Sequence, residues 1–203
     1  MFRAANIKAR NFTRPVILSR RTVAGECSAS IAAYVVVNSD GWALTACHII
    51  EKFVQMQAEE AATRKHQQDV AAVKANAALS GKEKGKRLKD LGRINNEATQ
   101  NYSAWWGRDG VNLVDITGVK GLDLAVGRLE PFDPKWVPEY PKFKDPTKGI
   151  EPGVSLCKLG YPLHQFKPTW NAQTGAFQLP QNAVPPYFPM DGMLTRLVDL
   201  PGD

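Results

Sequence analysis

The chain has 203 residues, of which 43% are hydrophobic and 23% are charged. This balance is typical of a globular protein and excludes a disordered chain, and the length suffices to bury a sizeable core. The 26 basic residues exceed the 20 acidic ones, which gives a formal net charge of +6. No nucleic-acid recognition motif accompanies this mild excess, so we do not expect a nucleic-acid partner.

The cysteines and histidines predict neither disulfides nor a metal centre. Three cysteines in a chain of this size do not indicate a disulfide framework, so we expect free thiols and a reducing, cytoplasmic setting. His48, His66 and His164 are scattered, without the Cys/His spacing of a zinc site, and no cofactor is predicted. No apolar run approaches the ~20 residues of a membrane span, and Met1–Arg14 lacks the apolar stretch of a secretory signal.

The first quarter of the chain has the pattern of an antiparallel β meander. Pro15–Leu18 is an apolar run that can open the first strand. Val23–Val37 is rich in β-branched residues and reads as two strands joined near Cys27–Ser30. Asn38–Gly41 is typical of a hairpin turn, after which Trp42–Thr45 returns as the next strand.

From Glu51 to about Ser103 a helical pattern replaces the strands. Proline is absent, alanine is frequent, and apolar residues recur at spacings of three to four, with a break at Ser80-Gly81. We therefore predict a helical hairpin over residues 51–103. Its second apolar stripe comprises Leu88, Leu91, Ile94, Ala98 and Tyr102. Because the first helix offers little apolar surface for a core, the hairpin is expected to project or to pack on a protein partner.

Basic residues gather next to the break in this hairpin: Lys82, Lys84, Lys86, Arg87, Lys89 and Arg93. Two interpretations stay open for this cluster, a solvated surface and a contact with an acidic partner.

The β pattern resumes after Asp109-Gly110. Val111–Ile116 alternates apolar and polar residues, and Leu122–Leu129 is a further apolar strand. Residues 131–152 contain six prolines and are predicted to form a linker across the surface. Gly153–Pro162 and Gly192–Val198 each have the pattern of a strand, with a loop between them.

Two polar residues beside apolar strands suggest chemistry. His48 directly follows the strand that ends in Thr45-Ala46-Cys47. An imidazole acts as a general base when a nearby carboxylate fixes its tautomer and stabilises its protonated form. Asp123 is the best candidate for that carboxylate. It lies between two apolar residues at the start of a strand, where an acid is costly to bury without a partner.

These segments resemble those of the trypsin-like (chymotrypsin-fold) serine peptidases of bacterial type. Leu44–His48 resembles the Leu-Thr-Ala-Ala-His segment that carries the family's general base, with Cys47 in place of the second alanine. Leu122–Leu129 resembles the Asp-Ile-Ala-Leu-Leu-x-Leu segment of its carboxylate, and Gly153–Pro162 and Gly192–Val198 resemble strands of its second barrel. The resemblance implies a serine endopeptidase domain acting on proteins or peptides, with His48 and Asp123 as catalytic residues.

The resemblance also implies the architecture. We expect a mainly β chain, a chymotrypsin-like double β-barrel whose second barrel is incomplete and into which the helical hairpin is inserted. Residues 1–130 would form the first barrel, 131–152 the linker, and 153–203 the start of the truncated second barrel.

The family's nucleophile lies in Gly-Asp-Ser-Gly-Gly, and none of the serines of this sequence has a Gly-x-Ser-Gly context. We therefore expect the sequence as given to be inactive. Three interpretations stay open: truncation ahead of the serine, a catalytically dead protease-like module that binds proteins, or completion of the second barrel by another chain. A further alternative sets the family aside and treats the basic hairpin as facing nucleic acid.

Overall fold

The computed structural model describes residues 2–119, 121–145, 148–161, 167–180 and 185–196. The helices and the 3-10 turn are α1 (Phe2–Arg10), α2 (Cys47–Ala75), α3 (Gly81–Leu91) and the turn Pro134–Trp136. The strands are β1 (Thr13–Thr22), β2 (Cys27–Val36), β3 (Trp42–Ala46), β4 (Thr99–Trp105), β5 (Asn112–Val119), β6 (Leu124–Glu130), β7 (Ser155–Gly160), β8 (Thr169–Asn171), β9 (Ala176–Gln178) and β10 (Phe188–Met193). The predicted mainly β character is thereby confirmed.

The first six strands form one antiparallel sheet in the order β4-β1-β2-β3-β6-β5, which curls into half a barrel. Its first four strands have the Greek-key order 4-1-2-3, in which the fourth strand returns through a long connection to lie beside the first. The long connection here contains α2 and α3. The helical insertion is therefore the Greek-key crossover of the sheet.

The core lies on the concave face of this sheet, as the alternation of apolar residues requires. Val16 and Leu18 of β1 are buried with Tyr34 and Val36 of β2. Met56 of α2 is also buried, so the helix contributes to the same cluster. The alternating apolar residues of the first two strands are thus the residues that form the core.

The helical hairpin is shorter than predicted, and its predicted C-terminal part is a strand. The helix α3 ends at Leu91, because Gly92 takes a φ of +72° and breaks the helical path. Residues 99–105 pair with β1 as β4, although the apolar spacing predicted helix as far as Ser103. The ring of Tyr102 packs on Phe53 of α2 with centroids 5.8 Å apart. Tyr102 therefore packs against an apolar side chain of α2, as its place in the apolar stripe predicts, but it belongs to a strand and not to a helix.

Other boundaries differ from the prediction as well. Residues 2–10 form α1, which has no predicted counterpart, and β1 extends over the whole stretch Thr13–Thr22. The predicted strand over 192–198 is wrong for its middle part, since β10 ends at Met193 and Thr195 and Arg196 lie outside any strand. Leu197 and Val198 lie outside the described residues.

The C-terminal third forms two small antiparallel sheets, β10-β7 and β8-β9. Part of the proline-rich segment 131–152 packs on the main sheet, since Val137 is only 5% exposed and joins the core. A double barrel stays a prediction. In the described part of the chain, no helix is both long and apolar enough to cross a membrane.

Candidate functional site

The candidate general base lies at a junction between a strand and a helix. β3 ends at Ala46, α2 begins at Cys47, and His48 is in the first turn of that helix. Ala46 occupies the N-cap position with extended backbone (φ −77°, ψ 142°), and its side chain makes no capping hydrogen bond. The first N–H groups of α2 therefore need acceptors from elsewhere in the chain.

The pairing of β3 with β6 places Asp123 next to the first turn of α2. β3 and β6 pair antiparallel with Ala46 opposite Leu124, which puts Asp123 beside Cys47. The backbone of Asp123 has a φ of +49°, a left-handed conformation that aspartate and asparagine adopt more readily than most residues. The turn that precedes β6 thus directs the carboxylate toward the first turn of α2.

Asp123 contacts His48 twice. The imidazole Nδ1 lies 2.7 Å from Asp123 Oδ2, and the His48 backbone N–H donates to Oδ1 at 2.9 Å. The Cys47 N–H donates to the Asp123 backbone carbonyl at 3.1 Å. Asp123 therefore caps α2 from a different element of the fold and fixes the orientation of the imidazole at the same time.

These contacts set the charge and the tautomer. Hydrogen bonds from the His48 backbone N–H and then from its imidazole, aided by the charge of His48, lower the pKa of Asp123 below its ordinary value. An ionised carboxylate only accepts hydrogen bonds, so the neutral imidazole has its proton on Nδ1 and a lone pair on Nε2. The position of a carboxylate at a helix N-terminus is also favourable for the helix dipole.

The pair lies at the surface, and its second imidazole nitrogen is open. The side chains of His48 and Asp123 are 62% and 57% exposed. No hydrogen bond to Nε2 is formed by any residue of the described ranges, the seven serines included. The apolar side chains of Leu122 and Val119, close to Asp123 in sequence, are 48% and 38% exposed. The site can thus accept a proton from a group that approaches Nε2.

Cys47 occupies a close-packed position beside the pair. A Cβ at Gly118 of β5 would lie 3.1 Å from Cys47 Sγ, so the thiol packs against the bare backbone of the neighbouring strand. All three cysteines are free and half-buried.

Two glutamates of α2 form hydrogen bonds to the edge strand β4. The sequence did not single them out, because they are two of many charged residues in this helix. Glu60 accepts the Tyr102 backbone N–H at 3.1 Å, and Glu59 accepts the Thr99 hydroxyl at 2.8 Å. Edge strands carry unpaired backbone groups, and the Glu60 carboxylate accepts from one of them, whereas Glu59 binds a side-chain hydroxyl. Both contacts fix the path of α2 over the sheet, and therefore the direction in which the helix leaves His48.

A cavity lies apart from the pair, and the described residues form no metal-binding cluster. A cavity of about 680 Å³ lies between β4 and the β8-β9 hairpin, with Trp105, Trp170 and Phe177 in its wall, and it does not reach His48 or Asp123. Over the described ranges, no group of three or more His, Cys, Asp or Glu side chains is placed to hold a metal ion. His66 lies in α2, far along the helix, and His164 falls outside the described residues.

Comparison with known proteins adds no relative. No model of a protein family, no curated protein and no solved structure matches this chain.

Proposed function

We propose that this chain is part of a trypsin-like serine endopeptidase, in which His48 is the general base and Asp123 orients it. One observation supports this proposal above all others: the Asp123 carboxylate contacts the imidazole and the backbone N–H of the same histidine, at 2.7 and 2.9 Å. The contact to the main chain holds the carboxylate in place, so the contact to the ring has a fixed direction. The pair also joins two residues that are 75 positions apart in the sequence.

The geometry suits proton transfer at Nε2. A serine hydroxyl that reaches Nε2 would give it its proton as the oxygen attacks the scissile carbonyl carbon. The imidazolium formed would be stabilised by Asp123 and would then protonate the leaving amine, which leaves an acyl-enzyme. Water, activated by the same Nε2, would release the second product and restore the serine. In this scheme Asp123 holds the tautomer and never carries the transferred proton.

The fold is in keeping with this proposal. The Greek-key half barrel puts His48 at the end of β3 and Asp123 at the start of β6, on adjacent antiparallel strands. We propose that β7 belongs to the second barrel of a double β-barrel, as the resemblance of Gly153–Pro162 to the family implies, and that β10 pairs with it there. The three free cysteines suit a reducing compartment, so the proposal places the protein in the cytoplasm.

A second candidate function follows from the missing nucleophile. None of the serines of the sequence has a Gly-x-Ser-Gly context, and none contacts His48 in the described ranges. A catalytically dead, protease-like module that binds proteins would need only the fold and the capped helix. In that case Asp123 would serve α2 as a cap, and the orientation of the imidazole would have no catalytic consequence.

The test begins with the coding sequence downstream of codon 203. Where it encodes Gly-x-Ser-Gly-Gly, the longer chain is expressed and assayed for hydrolysis of labelled casein and for labelling by a fluorophosphonate, which reacts with activated serines. We expect both activities, and we expect His48→Ala to reduce hydrolysis by ~10⁴-fold or more. The matched control is His66→Ala, which removes an imidazole from α2 and should leave hydrolysis unchanged.

Two results would contradict the proposal. A stop codon directly after residue 203 would favour the binding module. Full hydrolysis by the His48→Ala enzyme would show that another group acts as the base.

A further inference from the structure

The helix α3 is locally well defined although it contains no buried residue. A capping box closes its start: Glu83 N–H donates to the Ser80 hydroxyl, and the Ser80 N–H donates to the Glu83 carboxylate at 2.9 Å. Gly92 closes its end through a hydrogen bond from its N–H to the Lys89 carbonyl. A helix stabilised mainly at its two ends has its outer face free for contacts with other molecules.

One face of α3 is directed toward α2. Lys84, Leu88 and Leu91 are half-buried, at the spacings of four and three that put residues on one side of a helix. The Lys84 ammonium donates to the Lys74 carbonyl at 3.0 Å and so caps the last turn of α2. This inner row fixes which side of α3 faces the solvent.

The opposite face presents a row of lysines. Lys82, Lys86 and Lys89 follow one another at spacings of four and three, about 180° around the helix from the inner row. All three are exposed. Neighbouring Cβ atoms in such a row are about 5–6 Å apart, so the three Cβ atoms span about 10 Å along the helix.

The residues that the structure describes leave the charges of these lysines without an ion-pair partner. No ion pair to Lys82, Lys86, Lys89, Arg87 or Arg93 is present in the described ranges. Of the two acidic residues of α3, Glu83 has its carboxylate engaged by Ser80, and Asp90 makes no ion pair within the described ranges. Residues 74–93 contain seven basic and two acidic side chains, so this segment is one of the two strongly basic stretches of the sequence, with the N-terminal stretch as the other.

We propose that the row Lys82, Lys86 and Lys89 docks an acidic helix of a partner protein. A partner helix with carboxylates at i, i+4 and i+7 repeats the spacing of the lysines, so each ammonium meets one carboxylate, as between paired helices in coiled coils. The row contains lysines, whereas planar bidentate recognition of phosphates and bases favours arginine. Residues 74–93 contain no aromatic ring on which a base could stack. The chemistry therefore favours a protein partner over a nucleic acid.

This inference does not rest on the proposed peptidase activity. The lysine row lies on α3, which follows the C-terminal end of α2, whereas His48 is in the first turn of that 29-residue helix. At 1.5 Å per residue α2 is about 40 Å long, and Lys84 ties α3 to its far end, at Lys74.

The probe is a helical peptide of alanine and glutamine, about 20 residues long, with glutamates at i, i+4 and i+7 along one face. Its binding to the full chain is measured by fluorescence anisotropy at an ionic strength of about 0.01 M, where the Debye length is about 30 Å. We expect Lys82→Glu/Lys86→Glu/Lys89→Glu to weaken binding by at least about tenfold. The control, Lys142→Glu/Lys144→Glu/Lys158→Glu, makes the same change in net charge at exposed lysines elsewhere and should change the affinity by less than about twofold.

Two further measurements keep the test decisive. The triple Lys→Gln variant at the same three positions should show an intermediate loss, and circular dichroism should show unchanged helix content in each variant. A peptide of the same composition, with its glutamates spread around the helix, should bind at least about tenfold more weakly. Equal binding of that peptide, an equal loss in the control variant, or tighter binding of single-stranded RNA of matched charge would each overturn the proposal.

Discussion

Gly41 forms the turn that sets the position of β3, and its replacement by alanine tests the account of the fold. Its φ is +82°, a conformation that residues with a Cβ rarely adopt. A Cβ built there would lie 2.8 Å from Cγ of Phe132. The Gly41 carbonyl also accepts the Leu129 N–H at 2.9 Å, which ties this turn to β6. A distorted turn would therefore disturb the pairing that brings Asp123 to His48.

The expected cost of Gly41→Ala has three contributions. The left-handed backbone costs about 1–2 kcal/mol once a Cβ is present. Crowding against Phe132 costs about 1–3 kcal/mol, because the Cβ and Cγ of that ring cannot move away as freely as the tip of a flexible side chain. Reduced freedom of the unfolded chain offsets about 0.4–1 kcal/mol. We predict that the free energy of unfolding falls by about 2–4 kcal/mol.

The assay is urea unfolding followed by circular dichroism, with Gly110→Ala as the matched control. Gly110 has a similar φ of +76°, but no heavy atom lies within 4 Å of its added Cβ. Gly110→Ala should therefore lower the free energy of unfolding only through the left-handed backbone. The expected loss is about 1 kcal/mol, once the reduced freedom of the unfolded chain is taken into account. Equal costs for the two substitutions would refute the packing of Phe132 against the turn.

Two other predictions concern polar contacts. The lowered pKa of Asp123 means that its contribution to stability is complete above the unfolded-state value of about 3.9 and is lost as the pH falls through the folded-state pKa. Unfolding between about pH 2 and pH 6 should therefore show a loss of stability below about pH 4 that is smaller in Asp123→Asn, and an identical pH profile would contradict this. Glu60→Ala should lower the free energy of unfolding by about 1–3 kcal/mol, because the Tyr102 N–H loses its acceptor, whereas Glu60→Gln retains an acceptor oxygen and should cost less.

The alternation of apolar residues between clear turns predicts the early strands, except that Val23–Val37 contains the single strand β2 where two strands joined near Cys27–Ser30 were predicted. The sequence did not predict β4. Leu88, Leu91, Ile94, Ala98 and Tyr102 continue a helical spacing across Gly92, and only the free edge of β1 makes residues 99–105 a strand. Tertiary pairing overrides local periodicity here. The middle of the predicted strand 192–198 is wrong for a related reason, since β10 pairs with β7 only as far as Met193.

The sequence predicts the pairing of His48 with Asp123, but it does not predict that Asp123 also caps α2. The sequence around His48 and Asp123 singled out both side chains, and the structure puts them in contact at 2.7 Å. The capping of α2 by Asp123 depends on the register of β3 and β6 and on the uncapped Ala46, and neither can be read from local sequence. Asp123 is thus constrained both as a helix cap and as the partner of the imidazole.

The most direct test of the central claim is the protonation of the His48 ring, measured by ¹⁵N NMR of the imidazole in the full chain. The spectrum is recorded at about pH 9, well above the usual imidazole pKa of about 6.5. The account predicts a single tautomer with the proton on Nδ1 and a bare Nε2, and a loss of that preference in Asp123→Ala. A proton on Nε2, or a mixture of tautomers that Asp123→Ala leaves unchanged, would contradict the claim that Asp123 holds His48 ready to act as a base.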